Sequence, residues 1–540
     1  MFLKRFAPIW FALLFSVTLL LALPTLTVWG AWLGWDSSQS TLLAHLWGTV
    51  LPRYTLTSLW LGLGVAVGVS ALGLGSALLV TLFDFPGRAT LTWALLLPVA
   101  MPAYVVAYAY TDFFQFSGPV QTTLRAWTGW QGAVLPDIRS VGGAMLVLSV
   151  TLYPYAYLLV RAALIERASG PLEAAKLLGA GLGRRVWSVA IPMVRPALAA
   201  GLALALMETL ADFGVASYFG VQTFTTGIYK AWLVMDDASA AAQLSSVLLL
   251  FVLALLAWEH KAQRRIKFGS TRVDRGGREA QPLALRGAPA WLCLGLGLIP
   301  VTLGFGLPTL ILGHLWLTSA EATPWGEYAG WSLNTLKLGG ITAVLAVAIA
   351  MAFLVTERVR RHPLVGLLTR LIGVGYAIPG VVVVIGILVP LRWFQEVEWV
   401  GALSYWVTAT GLGIVWAYLI RFCAVALQSI GSGYSRLPLS MDEASRTLGV
   451  SGLPMVRRVH MPLMRNTLFI AGLLVLVDVM KELPATLVLR PFDSDTLAVV
   501  AYQLARDERL AEAAVPSLTL VLIGLIPVIW VSRNLRQVGR

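Results

Sequence analysis

Long apolar runs, each about 20 residues and separated by short polar stretches, recur along all 540 residues of the chain. A run of that length crosses the roughly 30 Å hydrocarbon core of a bilayer as a helix. Twelve spans are predicted. Those of the first half are at 9–31, 56–82, 91–115, 142–165, 196–218 and 243–258. Those of the second half are at 290–317, 333–355, 365–391, 402–427, 466–489 and 513–531. Helices are expected throughout, because hydrocarbon offers backbone N–H and C=O groups no other partner. The runs are too long and too uniformly apolar for the strands of a barrel. The expected fold class is an all-α polytopic membrane protein.

Composition agrees. Apolar residues make up 58% and charged residues 12%, against roughly 45–50% and about 25% in soluble domains. Fifty glycines suit helices that approach closely in lipid. The net charge of +13 is explained by loop location, since cytoplasmic loops collect Lys and Arg. Residues 259–287 hold Lys261, Arg264, Arg265, Lys267, Arg272, Arg275, Arg278 and Arg286. Glu357–Arg361 follows the eighth span, and Arg533, Arg536 and Arg540 close the chain. All fall on the side of Lys4 and Arg5, so both termini are expected in the cytoplasm. The opposite loop 319–330 has Glu321 and Glu327 and no basic residue. The apolar run after Arg5 is too long for a signal peptide, and an uncleaved first span is expected. No basic stripe with interleaved aromatics argues for nucleic acid. Cys293 and Cys423 lie in apolar runs and suggest neither a disulfide nor a metal site. His45, His260, His314, His362 and His460 lack metal-ligand spacing. No nucleophile, base and orienting group assemble, so an enzyme is not expected.

The chain is also two copies of one unit. Glu173-Ala-Ala-Lys-Leu-Leu-Gly179, running to Pro192, recurs 270 positions later as Glu443-Ala-Ser-Arg-Thr-Leu-Gly449, running to Pro462. Thr55–Gly62 parallels Ser332–Gly339, and Met101-Pro-Ala-Tyr-Val-Val106 parallels Ile378-Pro-Gly-Val-Val-Val383, both at an offset of 277. The copies are expected at 1–260 and 289–540, joined by a basic, glycine-containing cytoplasmic linker at 261–288. Six spans separate equivalent points, so the copies share one topology and are expected to be related by a pseudo-twofold axis along the membrane normal.

Both repeated loops fall between the fourth and fifth spans of their halves, on the expected cytoplasmic face. Each reads as a short helix, a glycine break, a second short segment with Arg184 and Arg185 or Arg457 and Arg458, and a proline at membrane re-entry. A short helix with small residues at its tip suits a groove on another protein. The pattern resembles the "EAA" loop of permease subunits of binding-protein-dependent ABC importers. The matching residues are Glu173, Ala174, Ala175, Gly179 and Pro192, and Glu443, Ala444, Ser445, Gly449 and Pro462. The departures are Ser445 and the Val189, Ile191, Val459 and Met461 replacements near the prolines. The resemblance implies a type I importer permease fold, with coupling helices docked into ATPase subunits. No phosphate-binding loop of the type G-x-x-x-x-G-K-[ST] occurs. Two copies of a separate ABC ATPase are therefore expected, carrying the ATP and Mg, with no cofactor bound by this chain.

The fifth span of each half carries acids: Glu208 and Asp212, and at the 270 offset Asp478 and Glu482, with Lys481 beside them. Residues four apart share a helix face. At about 1.5 Å per residue the acids lie about 20–25 Å along each helix from Arg195 or Arg465. Carboxylates at membrane depth face a cavity or a partner. They are candidates for a cation pathway, and interhelical pairing is the alternative, with Lys481 one available partner. Met207–Gly214, Pro102–Asp112, Gly118–Thr122 and Lys481–Thr486 are similar to the fused ferric-iron permeases of ABC importers. That resemblance covers nearly the whole chain. It implies inner-membrane import of Fe(III), handed over by a periplasmic ferric-binding protein. Hard oxygen ligands suit that ion. Tyr104, Tyr108 and Tyr110 supply phenolic oxygens or packing aromatics. Thiamine and other cationic solutes are alternative cargoes, and an ion-coupled secondary carrier is the rival class.

Overall fold

The computed structural model describes residues 7–32, 47–165, 169–268, 282–318, 325–360, 362–393 and 397–538. Linker residues 269–281, and with them several of the basic side chains that set the expected orientation, lie outside the described residues, as does His45. Among the described residues ten helices are long and apolar enough to cross a membrane, and two bent pairs bring the number to twelve. The only strands described, Phe83–Asp84 (β1) and Leu283–Ala284 (β2), pair in parallel for two residues.

Three expected spans have a different form. The third is Arg88–Ala100 followed by Ala103–Thr128, bent by 91°. The ninth is Pro363–Ala377 followed by Gly380–Arg392, bent by 110°. The bends fall at the repeated Met101-Pro and Ile378-Pro. A proline pushes the residue before it out of the α region, and Met101 and Ile378 have ψ of 118° and 123°. The expected tenth span at 402–427 resolves into a helix at Glu398–Ala409 and a span at Leu412–Ser435.

Spans five and eleven begin earlier than expected, as Leu182–Ala211 and Leu453–Lys481. The second short segment of each loop is therefore the start of the span, with no break at re-entry. Pro192 and Pro462 are accommodated by π-helical turns at Val186–Ala190 and Val456–His460. A proline ring clashes with the carbonyl four residues back. That residue is Ser188 or Arg458, inside the widened turn.

The chain forms two compact units, each built from both sequence halves. One takes in Met1–Leu43, Ile228–Leu249 and Pro324–Val500; the other Ala44–Gly227, Leu250–Thr323 and Ala501–Arg540. The copies expected at 1–260 and 289–540 thus exchange segments: each unit takes the opening span of the opposite half. In the first unit, helix Ala7–Thr27 lies against Pro363–Gly373 and Gly380–Trp393. Trp10 Nε1 donates to Thr356 Oγ1 (2.9 Å) and Thr27 Oγ1 to the Gly386 carbonyl (2.6 Å). Such bonds between spans contribute on average about 0.6 kcal/mol each. In the second unit, Leu307–Thr318 packs on Leu510–Val538 and Ala103–Phe114. There Tyr153 and Tyr157 donate to the carbonyls of Leu95 (2.9 Å) and Thr92 (2.8 Å).

Candidate functional site

The two repeated loops have one backbone. Helices Ser169–Leu177 and Leu439–Thr447 each end in a left-handed glycine, Gly179 (φ 76°) and Gly449 (φ 79°). Ala180 N then donates to Ala175 O, and Val450 N to Ser445 O, both at 2.9 Å. This is the Schellman closure, which favours glycine because a Cβ is strained at positive φ. Glu173, Ala174, Glu443 and Ala444 are exposed, as are Gly179 and Gly449. Ala175 is half-buried, whereas Ser445 is buried and its Oγ donates to Met441 O at 2.8 Å. Pro192 is half-buried and Pro462 exposed. At the tips Leu178 is 87% and Leu448 81% exposed. Each tip therefore presents an exposed leucine beside its glycine closure.

The inner faces of these helices differ. In the second copy Arg358 holds Asp442 with two bonds, Nε to Oδ2 at 2.7 Å and Nη2 to Oδ1 at 3.1 Å. Its Nη1 reaches Tyr434 O at 3.0 Å, and Nη2 also reaches Leu437 O at 3.1 Å. His460 Nε2 lies 3.1 Å from Asp442 Oδ1, and Tyr434 Oη 3.3 Å from His460 Nδ1. A neutral imidazole protonated at Nε2 satisfies both neighbours. Burial alone would raise the Asp442 pKa, but the hydrogen bonds from Arg358 and His460 and the Arg358 charge outweigh it and hold the carboxyl below its ordinary value of 3.8. At the corresponding positions the first copy has Thr81, Leu172, Ala190 and Leu164. Its helix sits on an apolar cluster that includes Leu172, Ala190 and Leu164. A cavity of about 520 Å³ beside it is lined by Glu173, Lys176, Leu283 of β2 and their neighbours.

The acids lie where the fifth and eleventh spans stop. Glu208 is inside its helix, but Asp212 is not on the same helical face, because the helix ends at Ala211 and Asp212 is extended (ψ 128°). Asp478 likewise lies in the helix, and Glu482 follows its end (ψ 118°). Each terminal acid caps the short helix beyond the break. Asp212 Oδ1 accepts from Val215 N (3.0 Å) and Ala216 N (3.1 Å). Glu482 accepts from Ala485 N and Thr486 N at 3.1 Å and from Thr486 Oγ1 at 3.0 Å. An anion at a helix N-terminus meets free N–H donors and the positive end of the dipole.

Glu482 is 4% exposed and forms an ion pair with Arg421 at 3.0 Å. Gly380 permits this geometry: a Cβ there would lie 2.5 Å from Glu482 Oε1. The arginine went unremarked in the sequence, although one charge inside the apolar run Leu412–Ser435 is itself a signal. Its counterpart in the first half is Thr151, which donates to its own helix at Val147 O (2.9 Å). Around Asp212 are tyrosines instead. Tyr104 packs at Gly214, Tyr108 stacks edge-on against Tyr218 with centroids 4.7 Å apart, and Ser217 bonds Tyr502 Oη at 2.8 Å. Tyr110 donates to Leu303 O and serves packing. No group of three or more His, Cys, Asp or Glu side chains is poised around a metal among the described residues.

In both copies an exposed loop helix leads through a glycine closure into a membrane span that ends at an acid. Residues 4–267 match the family described as the binding-protein-dependent transport system inner membrane component. The match covers 264 of the 540 residues, just under half of the chain. It is 26% identical over 473 residues to the Fe(3+)-transport system permease protein FbpB 2 of Haemophilus influenzae, covering 86% of each chain. It is 23% identical to an ABC transporter permease protein, y4fN, of Sinorhizobium fredii, over 92% of this chain and 88% of that one. The ferric transport system permease protein FbpB of Actinobacillus pleuropneumoniae is 24% identical over 76% of this chain and 61% of its own. No solved structure matches. The described spans make it a multi-pass membrane protein, and its matched half is similar to an inner membrane transport component. The matched family implies a separate ATPase and a periplasmic binding protein as partners.

Proposed function

We propose that the chain translocates ferric iron, delivered by a periplasmic binding protein, by alternating access driven by two copies of an ABC ATPase. One copy docks on Glu173–Gly179 and the other on Glu443–Gly449. Both termini lie in the cytoplasm with the loops. ATP and Mg belong to the ATPase copies, and this chain binds no cofactor of its own. The observation that carries the reading is mechanical continuity. Each exposed loop helix leads through one glycine closure into a span that runs unbroken to the acid at its far end. Movement of the docked helix is thereby transmitted as movement of the break. The name of the relative matched over 86% of both chains supports iron over other cations, as does that of a second matched over 76% of this chain.

The test is reconstitution of the permease with its ATPase and binding protein in proteoliposomes. Iron-loaded binding protein is expected to stimulate ATP hydrolysis and iron entry. Stimulation by thiamine-loaded protein alone would overturn the cargo, and transport under an ion gradient without ATP would overturn the mechanism.

A further inference from the structure

The two halves carry the same pair of acids but opposite surroundings. In the second half Glu482 is neutralised by Arg421, and Lys481 stands next in sequence. At the equivalent positions the first half has Thr151 and Ala211, neither of them charged. Among the described residues Glu208 and Asp212 form no ion pair, and Asp212 Oδ2 takes no hydrogen bond. Two carboxylates at membrane depth without a countercharge are costly, and persist where a cation visits. Both side chains are half-buried.

A second observation points to the same place. Tyr108 is 1% exposed, and its hydroxyl has no hydrogen-bond partner. Buried phenols ordinarily find one. Tyr108 lies one turn beyond Tyr104, which packs on Gly214, and it stacks against Tyr218 of the short helix Gly214–Tyr218 that Asp212 caps. In the second half the positions of Tyr108 and Tyr218 are Ile385 and Val488. The oxygen ligands and the absence of countercharge therefore coincide in the first half alone.

We propose that Glu208, Asp212 and Tyr108 form a transient site for the trivalent cargo cation, and that the second half's acids serve as a salt-bridged strut. The proposal rests on the ferric-importer reading above. Two carboxylates and a phenolate are hard oxygen donors suited to Fe(III). On entry the cation displaces the phenol proton to water and an Fe–O bond forms, with no change of oxidation state. On release the phenol takes a proton back. Asp212 keeps its capping bonds through Oδ1 while Oδ2 faces the ion.

The test is a titration of the purified full-length permease with ferric citrate, read by visible absorption, alongside iron uptake by the reconstituted complex. Wild type is expected to show a phenolate-to-Fe(III) charge-transfer band. Y108F should abolish the band, while D212N and E208Q should weaken iron binding and uptake at least about tenfold, the low end for losing even a supporting group at a metal site. D212N retains the cap, and Y108F removes only an unpartnered hydroxyl, so both should elute and melt as wild type does. Wild-type iron uptake with no band, or with uptake unchanged in Y108F and D212N, would overturn the site. A wild-type complex that imports another solute and no iron would instead overturn the ferric reading.

Discussion

Replacing Arg421 with methionine removes one member of a buried ion pair and leaves the other in place. The Glu482 side chain is 1% exposed and sits 3.0 Å from the guanidinium. Stripping a partner from such a charge costs about 3–5 kcal/mol. Glu482 keeps donors at Ala485 N, Thr486 N and Thr486 Oγ1, which places R421M at the lower end, about 3 kcal/mol. Removing both charges is different. In R421M/E482Q the glutamine still presents an oxygen to the capped helix, and no buried charge is stranded. The double variant should lie within about 1 kcal/mol of wild type; E482Q alone strands the buried Arg421 and also destabilises, so the coupling between the sites is at least about 2 kcal/mol. The assay is a double-mutant cycle in mixed micelles, following tryptophan fluorescence through denaturant. Single effects that add to within about 0.5 kcal/mol would refute the strut, as would an R421M variant as stable as wild type.

The docking tips give a second prediction. L178D and L448D each remove a leucine whose burial contributes about 1.5–3 kcal/mol, so each should weaken ATPase binding by about tenfold to a hundredfold without lowering the melting temperature of the isolated permease. Pull-down at graded ATPase concentration checks this. Asp442 gives a pH prediction. Its folded pKa is lowered, so its stabilising contribution is fully present above its ordinary value of 3.8 and is lost as pH falls through the still lower folded value. The melting difference between wild type and D442N should stay constant from about pH 8 to about pH 5 and shrink only below about pH 4; a difference that vanishes near neutrality would contradict the ion pair. G449A should cost about 1–2 kcal/mol, since Gly449 sits at φ 79° and a Cβ is strained there. Thermal melts of the variant check it.

Much of this architecture is legible in the chain because lipid imposes a simple rule. Apolar runs of one length must be helices, and the duplicated loops announce themselves by identical spacing around Gly179 and Gly449. Other features depend on what a residue meets. Met101-Pro and Ile378-Pro are visible as a repeat, yet that each bends a span by roughly a right angle depends on the backbone geometry at that step. The early start of the fifth span was hidden because Pro192 reads as a boundary, while the π-turn behind it lets the helix continue. The exchange of opening spans leaves no trace in hydropathy, since a lipid-compatible helix does not declare its neighbour. The polar network under the second loop was missed for another reason. Aligning the copies sets Asp442 against Leu172 and His460 against Ala190, so the repeat pattern passes over the residues that differ. The same holds for Arg421 against Thr151, where the difference between copies carries the information.

The central claim is that two loop helices couple ATP hydrolysis to cation entry through this chain. The most direct measurement is uptake of radiolabelled ferric iron by proteoliposomes holding the permease, its ATPase and iron-loaded binding protein, with ATP either enclosed or omitted. Iron should accumulate only with ATP and loaded binding protein together, and fall in step with ATPase docking when Leu178 or Leu448 becomes aspartate. Equal accumulation without ATP under an imposed ion gradient would contradict the account.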